Sequence, residues 1–298
     1  METLMKADGV ELCAETFGDP ADPPLLLIGN TMLTWPGGLC ARLSALRRFV
    51  VRYDLRGTGR STGAGEGAPR HTLRDLVADA AALLDALGLP RAHVAGFGVG
   101  GWIAQLLALD HPGRVTTLTL VAARPTAPGP ADPDLPEHAP EVMAHFMAPP
   151  PVDWSDRASV VAFMVENARH LAGPAFDEAE ARERAERIAG RTVLPDPASP
   201  DGDPGAAHRA DQMAAGFAEL DSGDRWRERL GGITAPTLVV HGEDDPFFPL
   251  GNGRALAAEI PGARLVTVPG MGHGLPRAAW DVIVPAILQH TSGAAAAG

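Results

Sequence analysis

The residues of this chain best suited to chemistry are an acid and an imidazole on turns late in the sequence. His273 sits between glycines in PGMGHGLP, on a loop and not on an apolar helix face. Asp245 stands directly before Pro246 in HGEDDPFFP, just past an apolar run. A carboxylate at a strand end can hold an imidazole in one tautomer and stabilise its protonated form, which makes the imidazole a general base. Asp245 is the expected orienting acid and Asp244 the alternative, although Asp-Asp-Pro also suits a plain turn. His241, His93 and His111 are expected to be structural.

A third segment has the right shape but lacks the expected atom. VAGFGVGG, Val94–Gly101, has the layout of a nucleophile elbow, G-x-S-x-G, with Gly96 and Gly100 as the outer glycines. Its central position is Gly98, which has no side chain to attack a carbonyl or carry a proton. A serine acyl-enzyme is thereby excluded, and catalysis by general base and oxyanion hole is what remains. The turn fits neither a phosphate loop nor a dinucleotide fingerprint, because the lysine of the first and the ribose-binding acid of the second are missing. DLRGTGRS, Asp54–Ser61, is read as a structural loop cross-linked by Asp54 and Arg56. Ser61 is there a stand-in nucleophile only as a remote alternative.

These groups need strand ends and helix starts to hold them. Strands are expected at Val10–Phe17, Leu25–Ile28, Phe49–Tyr53, His93–Ala95, Val115–Val121, Thr237–Val240 and Arg264–Val268. Several are short unbroken apolar runs, the pattern of strands buried on both faces. Between them, Ala41–Leu46, His71–Leu87, Gly101–Leu109 and Ala278–His290 have helical spacing. Strand and helix alternating in this order imply a parallel sheet covered on both faces, with ligands at the carboxyl ends of its strands. From Arg124 the composition turns proline-rich, and helices are expected at Ser159–Leu171, Asp177–Ile188 and Ala206–Leu220. Residues 124–230 are accordingly expected to form a helical cap on a core made of residues 1–123 and 231–298. In that cap Trp154, Phe146 and Met213 are candidates for an apolar substrate wall. Trp35, on the loop after Leu25–Ile28, is a candidate for stacking on substrate, and Phe97 in the elbow is another contact.

Composition narrows the partners. The 298 residues carry a formal net charge of -12, with 45% hydrophobic and 21% charged residues. No basic cluster exists to meet nucleic acid or an anionic membrane. The two cysteines show neither metal spacing nor a disulfide framework. The start of the sequence lacks the apolar run of a signal peptide. The expectation is a cytoplasmic protein, monomer or homodimer, with no cofactor and no metal.

Taken together, LLIGNTM, DLRGTGRS, GFGVGG, HPGRV, GEDDPFFP and PGMGHG resemble the α/β-hydrolase superfamily over nearly the whole chain. The resemblance implies an α/β-hydrolase fold, with a mostly parallel eight-stranded sheet, helices on both faces and an inserted helical lid. The order elbow, Asp, His is that of the superfamily's triads, and the resemblance implies an oxyanion hole in which the amide of Asn30 or Thr31, on the loop after Leu25–Ile28, pairs with that of Val99. Within it, FGDPADPPLLL, DLRGTGRST and MGHGLP with the trailing LQHT are similar to the aclacinomycin methylesterase type, which tailors aromatic polyketides in actinomycetes. That likeness implies a small hydrophobic substrate, an aromatic polyketide, and ester hydrolysis, here by water activated through His273 and Asp245. The alternatives are a non-hydrolytic cyclase, decarboxylase or isomerase using the same base, and a binding protein without activity.

Overall fold

The computed structural model describes residues 2–62, 71–126, 132–192 and 220–293. Eight strands form one sheet: β1 (Glu2–Ala7), β2 (Val10–Phe17), β3 (Pro24–Ile28), β4 (Phe49–Tyr53), β5 (Ala92–Phe97), β6 (Val115–Val121), β7 (Thr237–Gly242) and β8 (Arg264–Val268). Their spatial order is β1-β2-β4-β3-β5-β6-β7-β8. β2 runs antiparallel to both its neighbours, and every other pairing is parallel. The mostly parallel, eight-stranded sheet implied by the sequence is therefore present.

Alternation along the strands builds two cores. Leu26 and Ile28 of β3 face one side with Val94 and Val239, against α2 (Leu73–Ala86) and α3 (Val99–Asp110). Leu25 and Leu27 face the other side with Ala95 and Val240, against α1 (Gly37–Ala45) and α8 (Trp280–Gly293). Burial on both faces explains why these strands are apolar without a break. The sequence of α2 specifies its own start: the Thr72 side chain accepts from the Asp75 amide, and the Asp75 side chain accepts from the Thr72 amide, a capping box. α3 is buried from Val99 through Ala108, as befits a helix packed within the core.

Between β6 and β7 lie α4 (Pro140–Met147), α5 (Arg157–Leu171) and α6 (Glu178–Arg191). The Asp156 and Asp177 side chains cap α5 and α6 by accepting from their first-turn amides. Val160, Val161, Met164 and Val165 of α5 pack on Ala185 and Ala189 of α6 in a small core of their own. The expected helices at Ser159–Leu171 and Asp177–Ile188 are found here, whereas most of Ala206–Leu220 lies outside the described residues. Trp226 and Leu230 pack in the sheet's main core. The remaining helix, α7 (Gly251–Glu259), follows β7. No helix among the described residues is long and apolar enough to cross a membrane.

Candidate active site

The groups singled out in the sequence meet at the carboxyl ends of β3, β5, β7 and β8. The His273 Nδ1–H donates to Asp245 Oδ2 at 2.9 Å, since a carboxylate oxygen can only accept there. The other Asp245 oxygen accepts from the amides of Phe247 and Phe248 at 2.9 and 2.8 Å. Three hydrogen bonds and full burial of its side chain fix the carboxylate. Nε2 of His273 is thereby left with its lone pair available, the form a general base requires. Asp244, the alternative acid, instead accepts from the Gly270 amide and shapes the histidine loop. His241 is buried and donates through Nε2 to the Phe248 carbonyl at 2.6 Å, a structural role.

Gly98 caps the start of α3 at φ 55° and ψ -116°. That positive φ suits glycine and strains any residue with a Cβ. A Cβ built on Gly98 would lie 3.5 Å from His273 Nε2. The turn therefore aims residue 98 at the imidazole, although residue 98 has no group to present. Gly100 has a different reason: a Cβ there would collide with the Ile28 carbonyl. Its absence lets the end of β3 lie directly against the first turn of α3.

That close approach brings the oxyanion loop beside the helix start. Val99 is the first residue of α3, so its amide is one of those that helix geometry leaves without an intrahelical acceptor. Of the two partners expected in the loop, Asn30 is ruled out, because its amide donates to Thr34 Oγ1 at 3.1 Å. Thr31 remains, with no acceptor for its amide among the described residues. The neighbouring Met32 amide donates to Asp54 Oδ1 at 2.9 Å, which anchors the loop.

Other expectations need correction. Arg56 pairs with Asp79, not with Asp54. Asp54, fully buried, is instead held by Arg191 at the end of α6, at 2.9 Å. Ser61 is tied up structurally: its hydroxyl donates to the Asp54 carbonyl at 2.7 Å and accepts from the Cys13 amide. Trp35 is not a stacking platform. It is wholly buried in the core and its indole N–H donates to the Ile28 carbonyl at 3.0 Å. Trp154 faces Phe163 edge-on, 5.4 Å away, against the small core of α5 and α6. Met213 lies outside the described residues. Phe97 is at the site, with its ring 5.1 Å from that of His273. Phe146 is one ring further out, 6.0 Å from Phe247.

Two residues were missed by sequence reasoning. Phe247 and Phe248 set their rings 4.9 and 5.1 Å from His273, so three phenylalanines surround the imidazole. The signal was present in the FFP that follows Asp245 and Pro246. Behind them, His138 stacks on Phe247 at 4.6 Å, and the Arg124 guanidinium lies 5.3 Å from the Phe248 ring. Burial pushes Arg124 down to about 10 and also lowers the His138 pKa. Among the described residues no three His, Cys, Asp or Glu side chains gather as a metal would need.

Comparison with known proteins agrees with this architecture. The family described as alpha/beta hydrolase fold matches residues 27–276. Rhodomycin D methylesterase DnrP of Streptomyces peucetius is 35% identical, over 98% of each chain. Rhodomycin D methylesterase DauP of Streptomyces sp. strain C5 is 34% identical, again over 98% of each. Among solved structures, the bromoperoxidase from Bacillus anthracis superposes with a TM-score of 0.73 at 20% identity, covering 98% of this chain and 100% of that one. The last likeness concerns the fold alone.

Proposed function

This chain belongs to the α/β-hydrolase fold family, and on that premise we propose that it is a carboxylic ester hydrolase whose attacking group is water. One observation carries the reading: a side chain at position 98 would point at His273 Nε2 from 3.5 Å, and there is none. A water molecule between the two has the imidazole, oriented by Asp245, as its base. His273 Nε2 takes one proton, and the resulting hydroxide adds to the ester carbonyl carbon. The carbonyl oxygen takes up the negative charge and is met by the amides of Thr31 and Val99. Collapse of this intermediate expels the alkoxide, which recovers the proton from the imidazolium. Ester and water thus become acid and alcohol, and the enzyme returns to its starting state.

The magnitudes allow this. General-base help contributes roughly 10²–10⁴-fold and one oxyanion donor roughly 10²–10³-fold, neither of which needs a serine. The substrate we assign is a methyl ester of an aromatic polyketide, bound beneath a cap that includes α4, α5 and α6. Support comes from the two relatives named as rhodomycin D methylesterases, from the motifs shared with the methylesterase type, and from Phe97, Phe247 and Phe248 lining the imidazole. The same apolar wall favours a second reading, in which His273 moves a proton on the polyketide and the two amides hold an enolate. Incubation with an aromatic polyketide methyl ester separates them. Hydrolysis gives methanol and the free acid, whereas proton transfer alone gives an isomer of unchanged mass. Neither product would refute both.

A further inference from the structure

Three successive carbonyls of the loop that carries Asp245 are held from outside it. The Ala139 amide donates to that of Pro246 at 2.7 Å, His138 Nδ1 to that of Phe247, and His241 Nε2 to that of Phe248 at 2.6 Å. His138 and Ala139 lie just before α4, so the segment leading from β6 into α4 docks on the acid loop through consecutive residues. The His138 ring also stacks on Phe247, with centroids 4.6 Å apart and planes 23° from parallel. A carbonyl only accepts, so Nδ1 of His138 carries the ring proton. Its Nε2 then presents a lone pair towards the Arg124 guanidinium, 3.5 Å from Nη1. Burial opposes a second ring proton, and so does that guanidinium. Arg124 is itself buried and fixed: its carbonyl accepts from Gln105 Nε2 at 3.1 Å, and its Nε donates to the Thr126 carbonyl at 3.3 Å.

The Phe247 carbonyl and the Phe248 amide belong to one peptide group. His138 donates into one end of it, and the other end donates to Asp245 Oδ1 at 2.8 Å. Hydrogen bonds at both ends of a peptide polarise it and strengthen one another, and together they fix its plane. Asp245 Oδ2 in turn accepts from His273 Nδ1 at 2.9 Å. We propose that His138 is a positioning residue for the base: acting through the 247–248 peptide, it holds the Asp245 carboxylate in line with His273 Nδ1. The assignment rests on the reading of His273 as the hydrolytic base. It makes the segment before α4 a support of the Asp245–His273 pair as well as a cover over the substrate.

Asparagine and glutamine at position 138 separate this role from packing. His138→Asn keeps an N–H donor where Nδ1 stands, whereas His138→Gln carries its amide at the place of Nε2 and leaves the Phe247 carbonyl without that donor. In ¹H NMR of the whole protein, the His273 Nδ1–H should give a low-field resonance, identified by its loss in His273→Ala. That resonance should keep its position in His138→Asn and move upfield or broaden in His138→Gln. With an aromatic polyketide methyl ester, His138→Gln should lower kcat about tenfold with KM little changed, and His138→Asn should restore most of the loss. A wild type without the resonance, or asparagine and glutamine variants alike in resonance or in kcat, would overturn the proposal. The NMR readout needs no turnover, so the expected resonances beside an ester left intact by the wild type would overturn the hydrolase reading alone.

Discussion

At the residue scale, function turns on an angle and a distance. Residue 98 is held at φ 55° and ψ -116°, a conformation that costs a residue with a Cβ about 1–3 kcal/mol. Glycine is free of that cost, and Gly98→Ser would reintroduce it. We expect this variant to lose stability by about 1–3 kcal/mol in urea unfolding. We also expect it to gain covalent labelling by a fluorophosphonate, since its Cβ would stand 3.5 Å from His273 Nε2. Unlabelled but folded Gly98→Ser would show that the remaining geometry cannot activate a nucleophile. The pairing of Asp245 with His273 was legible in the sequence because each sits in a short motif whose neighbours dictate its turn. Trp35 was misread because an aromatic residue beside a catalytic loop has the same local sequence whether it faces substrate or core. Only the fold shows its indole bonded to the Ile28 carbonyl.

At the scale of elements, α6 is tied to the core through charge. Arg191 donates to Asp54 and to Glu2, and Asp54 in turn accepts from the Met32 amide beside Thr31. The end of α6 and the oxyanion loop are thus two hydrogen bonds apart. Asp54 is fully buried and Arg191 nearly so, and removing one partner of such a pair costs about 3–5 kcal/mol. Arg191→Met should therefore unfold at markedly lower urea, and a loss below about 1 kcal/mol would show that the pair does not fasten α6. This contact joins positions more than a hundred residues apart, so no local pattern announced it; the loop's own Arg56 looked the nearer partner for Asp54. Seven of the eight strands were legible, with Val10–Phe17, Phe49–Tyr53, Val115–Val121 and Arg264–Val268 found at their expected bounds. β1, α4 and α7 were not. β1 is an edge strand with much of its surface exposed and weak alternation, and α4 starts at a proline in a run of prolines that masked it.

At the scale of the whole molecule, buried histidines set the response to acid. Burial, aided by Arg48, His290 and Arg91, pushes His93 down to about 4, and burial lowers His241 and His290 as well. In the unfolded chain a histidine binds its proton near pH 6.5. Between these values the unfolded state holds more protons than the folded one, so stability rises with pH. For His93 the contribution is complete above about pH 6.5 and is lost as pH falls towards about 4, at up to about 1.4 kcal/mol per pH unit. Urea unfolding from pH 8 to pH 5 should show this decline, and His93→Gln should flatten it; an unchanged slope in that variant would refute the assignment.

The account as a whole stands on His273 activating water in a site without a nucleophile. Its most direct test is mass spectrometry of an aromatic polyketide methyl ester treated in ¹⁸O-water with the wild-type protein and with His273→Ala. The account predicts a free acid carrying one solvent oxygen from the wild type and none above background from the variant. Equal conversion by His273→Ala, or an ester left intact by the wild type, would contradict it.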